Sequence, residues 1–441
     1  MIGSTRYSAG RFAALALGVA GVLQGSGHSA HAFTQGAGAL GSGGTPMGHE
    51  WVTTVAGMEL IDPSRVLGDD PRNRPGAIGR SQNVTVPAQA LALLSNRRLS
   101  RSSTRERYYI DTYGMDHHNI LAAIVGERWV DIGGFNVTKS QANKALGKPD
   151  CWSAVAQLPN ELQHDHFCRM REEEGGDGGI RGATDSARRL QEYFVAAAMS
   201  PESDVLTWDG GITSAEATVD KRFFLLGRAI HLLQDSFSGE HAVRQASDGF
   251  RQVQGIKTYL CSLNSDQHSH ASPLAPLSQF DSQLYANNGD VIWKTNASNW
   301  TAQNMKPNAL AAVEATKDLF AAFLRTLSVP RNRRGQVAAA EARQLASYWM
   351  SFDPETMRAR YVVGGAAHRE PNSTYVTDQA ACDVTIGGAP VVEKIERDRA
   401  QCFANIQATD ASGNAITPQA KDIDQQLKIP FHWGWKSLFW Q

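Results

Sequence analysis

A histidine, an aspartate one helical turn later and a second histidine beyond a glycine constrain this chain more than any other feature. They lie in Gly227-Arg-Ala-Ile-His231-Leu-Leu-Gln-Asp235-Ser-Phe-Ser-Gly239-Glu-His241, which reads H-x3-D-x5-H inside an apolar, helix-forming run. On an α-helix, His231 and Asp235 stand on the same face. A purely structural helix has no use for a stacked imidazole and carboxylate with another imidazole brought round past Gly239. A site able to hold more than one cation does.

The rest of the chain suits a helical host for such a site. Segments with helical patterning dominate its 441 residues, and period-two strand patterns are scarce. The net charge of −1 gives no bulk electrostatic case for nucleic acid. Residues 1–32 read as a secretory signal: Arg6 and Arg11 precede a short apolar run over 12–23, and Ala30-His31-Ala32 offers a small-x-small cleavage site. Phe33 would then be the first mature residue of a secreted or periplasmic protein. No later apolar run reaches the length of a membrane span. Export permits disulfides, and short loops favour pairing Cys151 with Cys168 and Cys382 with Cys402, leaving Cys261 free.

Helices are expected from about Gly48, over 119–130 with a stop at Asp131-Ile-Gly-Gly, over 185–199 with Thr184 or Asp185 as N-cap, and over 221–234, 309–327 and 336–350. Residues 62–106 read as a long surface excursion, 172–184 as an acidic, Gly-rich loop with Glu172–Glu174 solvated, and His117 and His118 as solvated polar residues before a helix. Beyond 350 the composition turns β-prone at 361–363, 373–376 and 382–386. The expected organisation is a signal over 1–32, a helical catalytic domain over 33–350 and a small α/β or β-containing appendage over 351–441. The aromatic terminus, Phe431-His-Trp-Gly-Trp-Lys-Ser-Leu-Phe-Trp440, reads either as core or as a contact with the membrane interface.

Further ligand candidates are His49, His164, His166, His268 and His270, with Asp131 as a second carboxylate. Together with the central motif in its G-x-A-I-H-x-L-x-D context, Gly48-His49-Glu50-Trp51, Trp129-Val130-Asp131 and His166-Phe167 resemble, in order and approximate spacing, the secreted bacterial zinc-dependent phospholipases C. That family shares its fold with the S1/P1-type nucleases. The resemblance covers residues 49–245 and implies a helical fold with three zinc ions in a cleft. It assigns one zinc to Asp131, His166, His231 and Asp235. A second goes to His241 with a later histidine and a carboxylate. A third goes to His49 and Asp235 with the α-amine and carbonyl of Phe33. Imidazole nitrogens and carboxylate oxygens suit Zn²⁺.

The chain departs from the family in two places. The later histidine should be followed four residues on by Glu, but His268 and His270 are not, and Asp290 is the substitute carboxylate. Aromatics that box a choline headgroup in choline-preferring members correspond here to Ile132 and Gln163, so a broad headgroup range is expected. Clustered zinc ions suit phosphodiester hydrolysis by acidifying water and clamping the attacking and leaving oxygens, with Asp131 as the candidate general base. No Gly-rich phosphate loop, G-x-S-x-G elbow or H-E-x-x-H occurs. The expected activity is a phospholipase C, acting as a monomer on a phospholipid surface and not on nucleic acid. An S1/P1-type nuclease and a membrane-binding toxin with structural metals are the alternatives.

Overall fold

The computed structural model describes residues 48–62, 85–96, 116–132, 160–170, 172–173, 175–208, 217–238, 241–257 and 307–360, and short strands at 385–386, 389–390, 408–409 and 415–416. In chain order the elements are α1 (Gly48–Ile61), α2 (Ala88–Leu94), α3 (His118–Ile132), a 3₁₀ segment (Asn160–His166) and α4 (Gly175–Met199). They continue with β1 (Val205–Trp208), β2 (Ala217–Asp220), α5 (Lys221–Asp235), β3 (Ala242–Val243) and β4 (Gly255–Ile256). Then come α6 (Pro307–Leu327), α7 (Arg331–Trp349), α8 (Pro354–Ala359), β5 (Thr385–Ile386), β6 (Ala389–Pro390), β7 (Ala408–Thr409) and β8 (Ala415–Ile416). The fold is mainly α, and each strand pair is a two-stranded antiparallel ribbon.

α5 is the central element, buried at every position from Arg222 to Asp235. A helix that is apolar most of the way round has no face to give to solvent. It is surrounded instead by α3, α4, α6 and α1. The β1–β2 hairpin delivers Asp220 as its N-cap, whose carboxylate accepts from the Arg222 N–H at 2.9 Å. The crossing of α3 and α5 is backbone against backbone. A Cβ on Gly126 would sit 1.9 Å from the Phe224 carbonyl oxygen, and one on Gly227 would sit 2.0 Å from that of Ala123. Phe194, Phe223 and Phe323 then meet edge to face where α4, α5 and α6 converge.

Several expectations are corrected. α4 starts at Gly175, so residues 175–184 are helix and not loop, and Asp185 lies inside the helix instead of capping it. The glycines that suggested a loop serve close approach. A Cβ on Gly178 would meet the Glu173 carbonyl carbon at 2.1 Å, and one on Gly176 the Arg358 Cα at 2.5 Å. Tertiary packing of the Leu190, Phe194 and Ala197 face overrides weak local propensity. Glu173 is buried, although Glu172 is exposed; Glu174 lies outside the described residues. His117 is buried too, because α3 begins inside the body. The expected excursion over 62–106 contains α2, which packs on α6.

The helical body also continues past the expected boundary at 350. α8 packs on α4, and Arg360 donates to Gln254 at 2.5 Å. Of the β-prone stretches, 385–386 forms β5, whereas 361–363 and 373–376 lie outside the described residues, as do 1–47 and the aromatic terminus. No helix among the described residues is long and apolar enough to cross a membrane.

Candidate metal centre

The end of α5 gathers four imidazoles around one carboxylate. Asp235 Oδ2 lies 2.9 Å from His231 Nε2 and 3.5 Å from His166 Nδ1. Its Oδ1 lies 3.3 Å from His49 Nε2 and 3.7 Å from His241 Nε2. His231 and Asp235 are fully buried, and the other three histidines are at most 5% exposed. Burial alone would push the Asp235 carboxyl up, but His231 and His241, with hydrogen bonds from His166 and His231, hold it well below the usual carboxylate range.

Each histidine arrives from a different part of the chain. His231 and Asp235 share the α5 face, as their spacing requires. His49 comes from the first turn of α1, its ring 4.3 Å from that of His231. His241 follows the turn in which Ser238 N–H bonds the Asp235 carbonyl, and its backbone joins β4 through Lys257 N–H at 2.7 Å. His166 ends the 3₁₀ segment. With three residues per turn, successive side chains there point in three directions. His164 turns to Glu173. Asp165 faces Arg189 at 3.0 Å, Tyr193 at 2.7 Å and Arg228 at 3.4 Å. His166 is left facing His231 at 3.4 Å. Of His164 and His166, it is His166 that faces Asp235, whereas His164 faces Glu173.

The proton positions around His49 follow from a buried network. The Thr53 hydroxyl donates to Glu127, and that of Thr316 donates to the Ala312 carbonyl. Both oxygens are therefore acceptors for the Gln234 amide NH₂, at 2.8 and 3.2 Å, with Glu127 Oε1 a third acceptor at 3.3 Å. The Gln234 carbonyl oxygen must then accept from His49 Nδ1–H, at 2.7 Å. With Nδ1 so occupied, Nε2 is the ring atom turned to the Asp235 carboxylate, at 3.3 Å. In the neutral tautomer it offers a lone pair there, a donor that suits a cation beside the carboxylate. His49, His231 and Asp235 each offer a ligand atom within 4.8 Å of the others. Gln234 carries no metal-ligand signal, and sequence reasoning missed it. Gln234→Leu is expected to cost about 1–3 kcal/mol by stranding buried partners. It should weaken metal binding by roughly 10–100-fold, as loss of an orienting partner does. Denaturant titration and metal titration of the purified variant check both.

Cys168 is a free thiol 3.0 Å from His241 Nδ1, not a disulfide partner of Cys151, which lies outside the described residues. The sulfur is drawn into the buried wall behind His241. Burial and the nearby Asp235 push its pKa well above the ordinary value, so it is a neutral thiol. When His241 Nδ1–H donates to sulfur, Nε2 is the ring nitrogen turned towards Asp235.

Asp131 and Ile132 lie in the last turn of α3, but their side chains are outside the described residues. Gln163 is buried. Phe33, His268, His270, Asp290, Cys261, Cys382 and Cys402 also lie outside the described residues.

The chain is 36% identical over 445 aligned residues to Hemolysin-1 of Aeromonas salmonicida, covering 93% of this chain and 72% of that protein. The chain belongs to the Hemolysin-1 family. No family model matches it, and no solved structure matches.

Proposed function

We propose that this protein is an exported, membrane-damaging zinc phospholipase C that releases a phosphorylated headgroup and leaves diacylglycerol. The observation that carries the reading is the fully buried Asp235 carboxylate ringed by four imidazoles, all at or under 3.7 Å. Membrane damage is our reading of the name Hemolysin-1 borne by the relative. The motif resemblance supplies the reaction, and the signal-like N-terminus supplies export.

Zinc, when bound, supplies positive charge to the phosphodiester oxygens and acidifies a nearby water towards neutral pH. His166, His231, Asp235, His49 and His241 would hold it, with His49 locked in one tautomer by Gln234. Asp131 would take the proton from the attacking water, and His268, His270 or Asp290 with the amine of Phe33 would complete the outer ligands. Ile132 and Gln163 give no cation–π cage, so choline and ethanolamine lipids should differ by about tenfold or less.

A second reading is a lytic toxin whose metals are structural. The near-complete burial of all five groups favours it, since structural zinc sites are closed. The nuclease alternative ranks behind both, because the relative is named for lysis.

Exported protein should be offered dye-loaded phosphatidylcholine and phosphatidylethanolamine vesicles and single-stranded DNA, with and without chelator. Headgroup release that accompanies leakage and disappears with chelator is the expected result. Leakage without headgroup release would select the structural-metal toxin.

A further inference from the structure

Outside the Asp235 centre, a second imidazole and two more carboxylates converge where the 3₁₀ segment crosses α4. His164 Nε2 lies 3.1 and 3.0 Å from the two oxygens of Glu173. Asp185 Oδ joins them, and one ligand atom from each residue lies within 4.8 Å of the others. His164 and Glu173 are buried; the Asp185 side chain is 33% exposed. We propose that His164, Glu173 and Asp185 form a metal site separate from the Asp235 centre, taking a first-row divalent cation such as zinc.

Three features favour a cation over a plain ion pair. The imidazole nitrogen is equidistant from both carboxylate oxygens, whereas one N–H proton serves one oxygen well. A second carboxylate, that of Asp185, is brought to the same point as the imidazole and the first carboxylate. The carboxylates are also held from behind: Met170 N–H donates to Glu173 Oε2 at 2.9 Å, and Arg188 reaches Asp185 at 3.1 Å from the solvent side. Such outer contacts orient ligands at metal sites. Arg188 is 59% exposed and is free to swing off when a cation arrives.

The glycines of α4 make the approach possible. A Cβ on Gly182, one turn before Asp185, would stand 3.2 Å from Glu173 Oε2 and 3.1 Å from Arg169 Cγ. The bare backbone there lets the Glu173 carboxylate lie against the helix. One nitrogen and two carboxylate donors suit zinc and its neighbours better than calcium or magnesium, which take oxygen ligands. An ion here would pin the 3₁₀ segment to α4. His166 lies two residues beyond His164 on that segment, so the clamp would also hold the histidine that faces Asp235.

The test uses the full-length protein, stripped by chelator and reloaded with Zn²⁺ alone, with zinc per chain counted by mass spectrometry. Asp185→Ala and Glu173→Gln should each bind one equivalent fewer than wild type, while Asp235→Asn loses the zinc of the Asp235 centre and keeps this equivalent. Zinc should raise the melting temperature of Asp235→Asn but raise that of Asp185→Ala combined with Asp235→Asn by less. Asp185 is partly exposed inside a helix, so Asp185→Ala folds even if Glu173→Gln does not. An unchanged zinc count in Asp185→Ala would overturn the proposal and leave the cluster as an ion pair. The count does not depend on lipid hydrolysis, so failure of the phospholipase reading would leave it standing.

Discussion

On the proposed reading, in which the end of α5 holds metal, Asp235→Asn should abolish activity and empty that site. The substitution keeps the shape and removes the charge that faces His231, His166, His49 and His241. Loss of a partner that only orients a ligand costs roughly 10–100-fold in metal affinity. Loss of a carboxylate shared by every imidazole of the centre should exceed about a hundredfold. Zinc titration against a competing chelator reads that directly, and lysis of erythrocytes reads the consequence. Wild-type zinc affinity in Asp235→Asn would mean that this cluster is not a metal centre. Wild-type affinity with lost lysis would place Asp235 in the chemistry alone.

The largest structural effect is expected at the α3–α5 crossing. Gly126→Ala puts a methyl 1.9 Å from the Phe224 carbonyl oxygen, and Gly227→Ala puts one 2.0 Å from that of Ala123. Neither oxygen belongs to a side chain that can turn away, so the helices must part. Overpacking a core costs about 1–3 kcal/mol and sometimes more, and these contacts belong at the upper end. At roughly 2–4 °C per kcal/mol for a domain of this order, the melting midpoint should fall by about 6–12 °C. Separation of the helices would also pull Glu127 from Gln234, now 3.3 Å apart, and so disturb His49. Gly335→Ala is the control. Its methyl would meet only the end of the Met199 side chain, at 3.3 Å. It should be neutral or stabilise α7 by up to about 1 kcal/mol. Equal midpoints for Gly126→Ala and Gly335→Ala would refute the close-crossing account.

The pairing of His231 with Asp235 was legible in sequence because both share one element. Their spacing is a helical turn, and the apolar, helix-forming run around them marks a helix from local periodicity alone; that this helix is the central one came from packing. His49 and His166 could be nominated from residue type and order. His49 lies 185 positions away from its partner Gln234 in the chain. Only packing could bring it to Asp235, and only packing could turn His166 inward while His164, two residues earlier, went to α4. In a 3₁₀ turn that choice is set by Asp165, whose contacts with Arg189, Tyr193 and Arg228 are long-range.

The failures share one cause. Gly175–Gly182 read as a loop because glycine weakens a helix, yet Gly176, Gly178 and Gly182 let Arg358, Glu173 and Arg169 lie against α4. Gln234 read as an ordinary helix residue, yet the hydroxyls of Thr53 and Thr316 fix its amide and through it the tautomer of His49. Cys168 read as half of a disulfide, yet it lies beside His241. Periodicity records which face of an element is buried. It does not record what that face meets, because the partners come from distant segments and are selected by shape and hydrogen-bond geometry. The sequence by itself determined a helical fold with a His–Asp pair on one helix face. The tertiary structure decided that this helix is central, which histidines gather round Asp235, that His49 Nδ1 faces Gln234, and where a second cluster of candidate ligands collects.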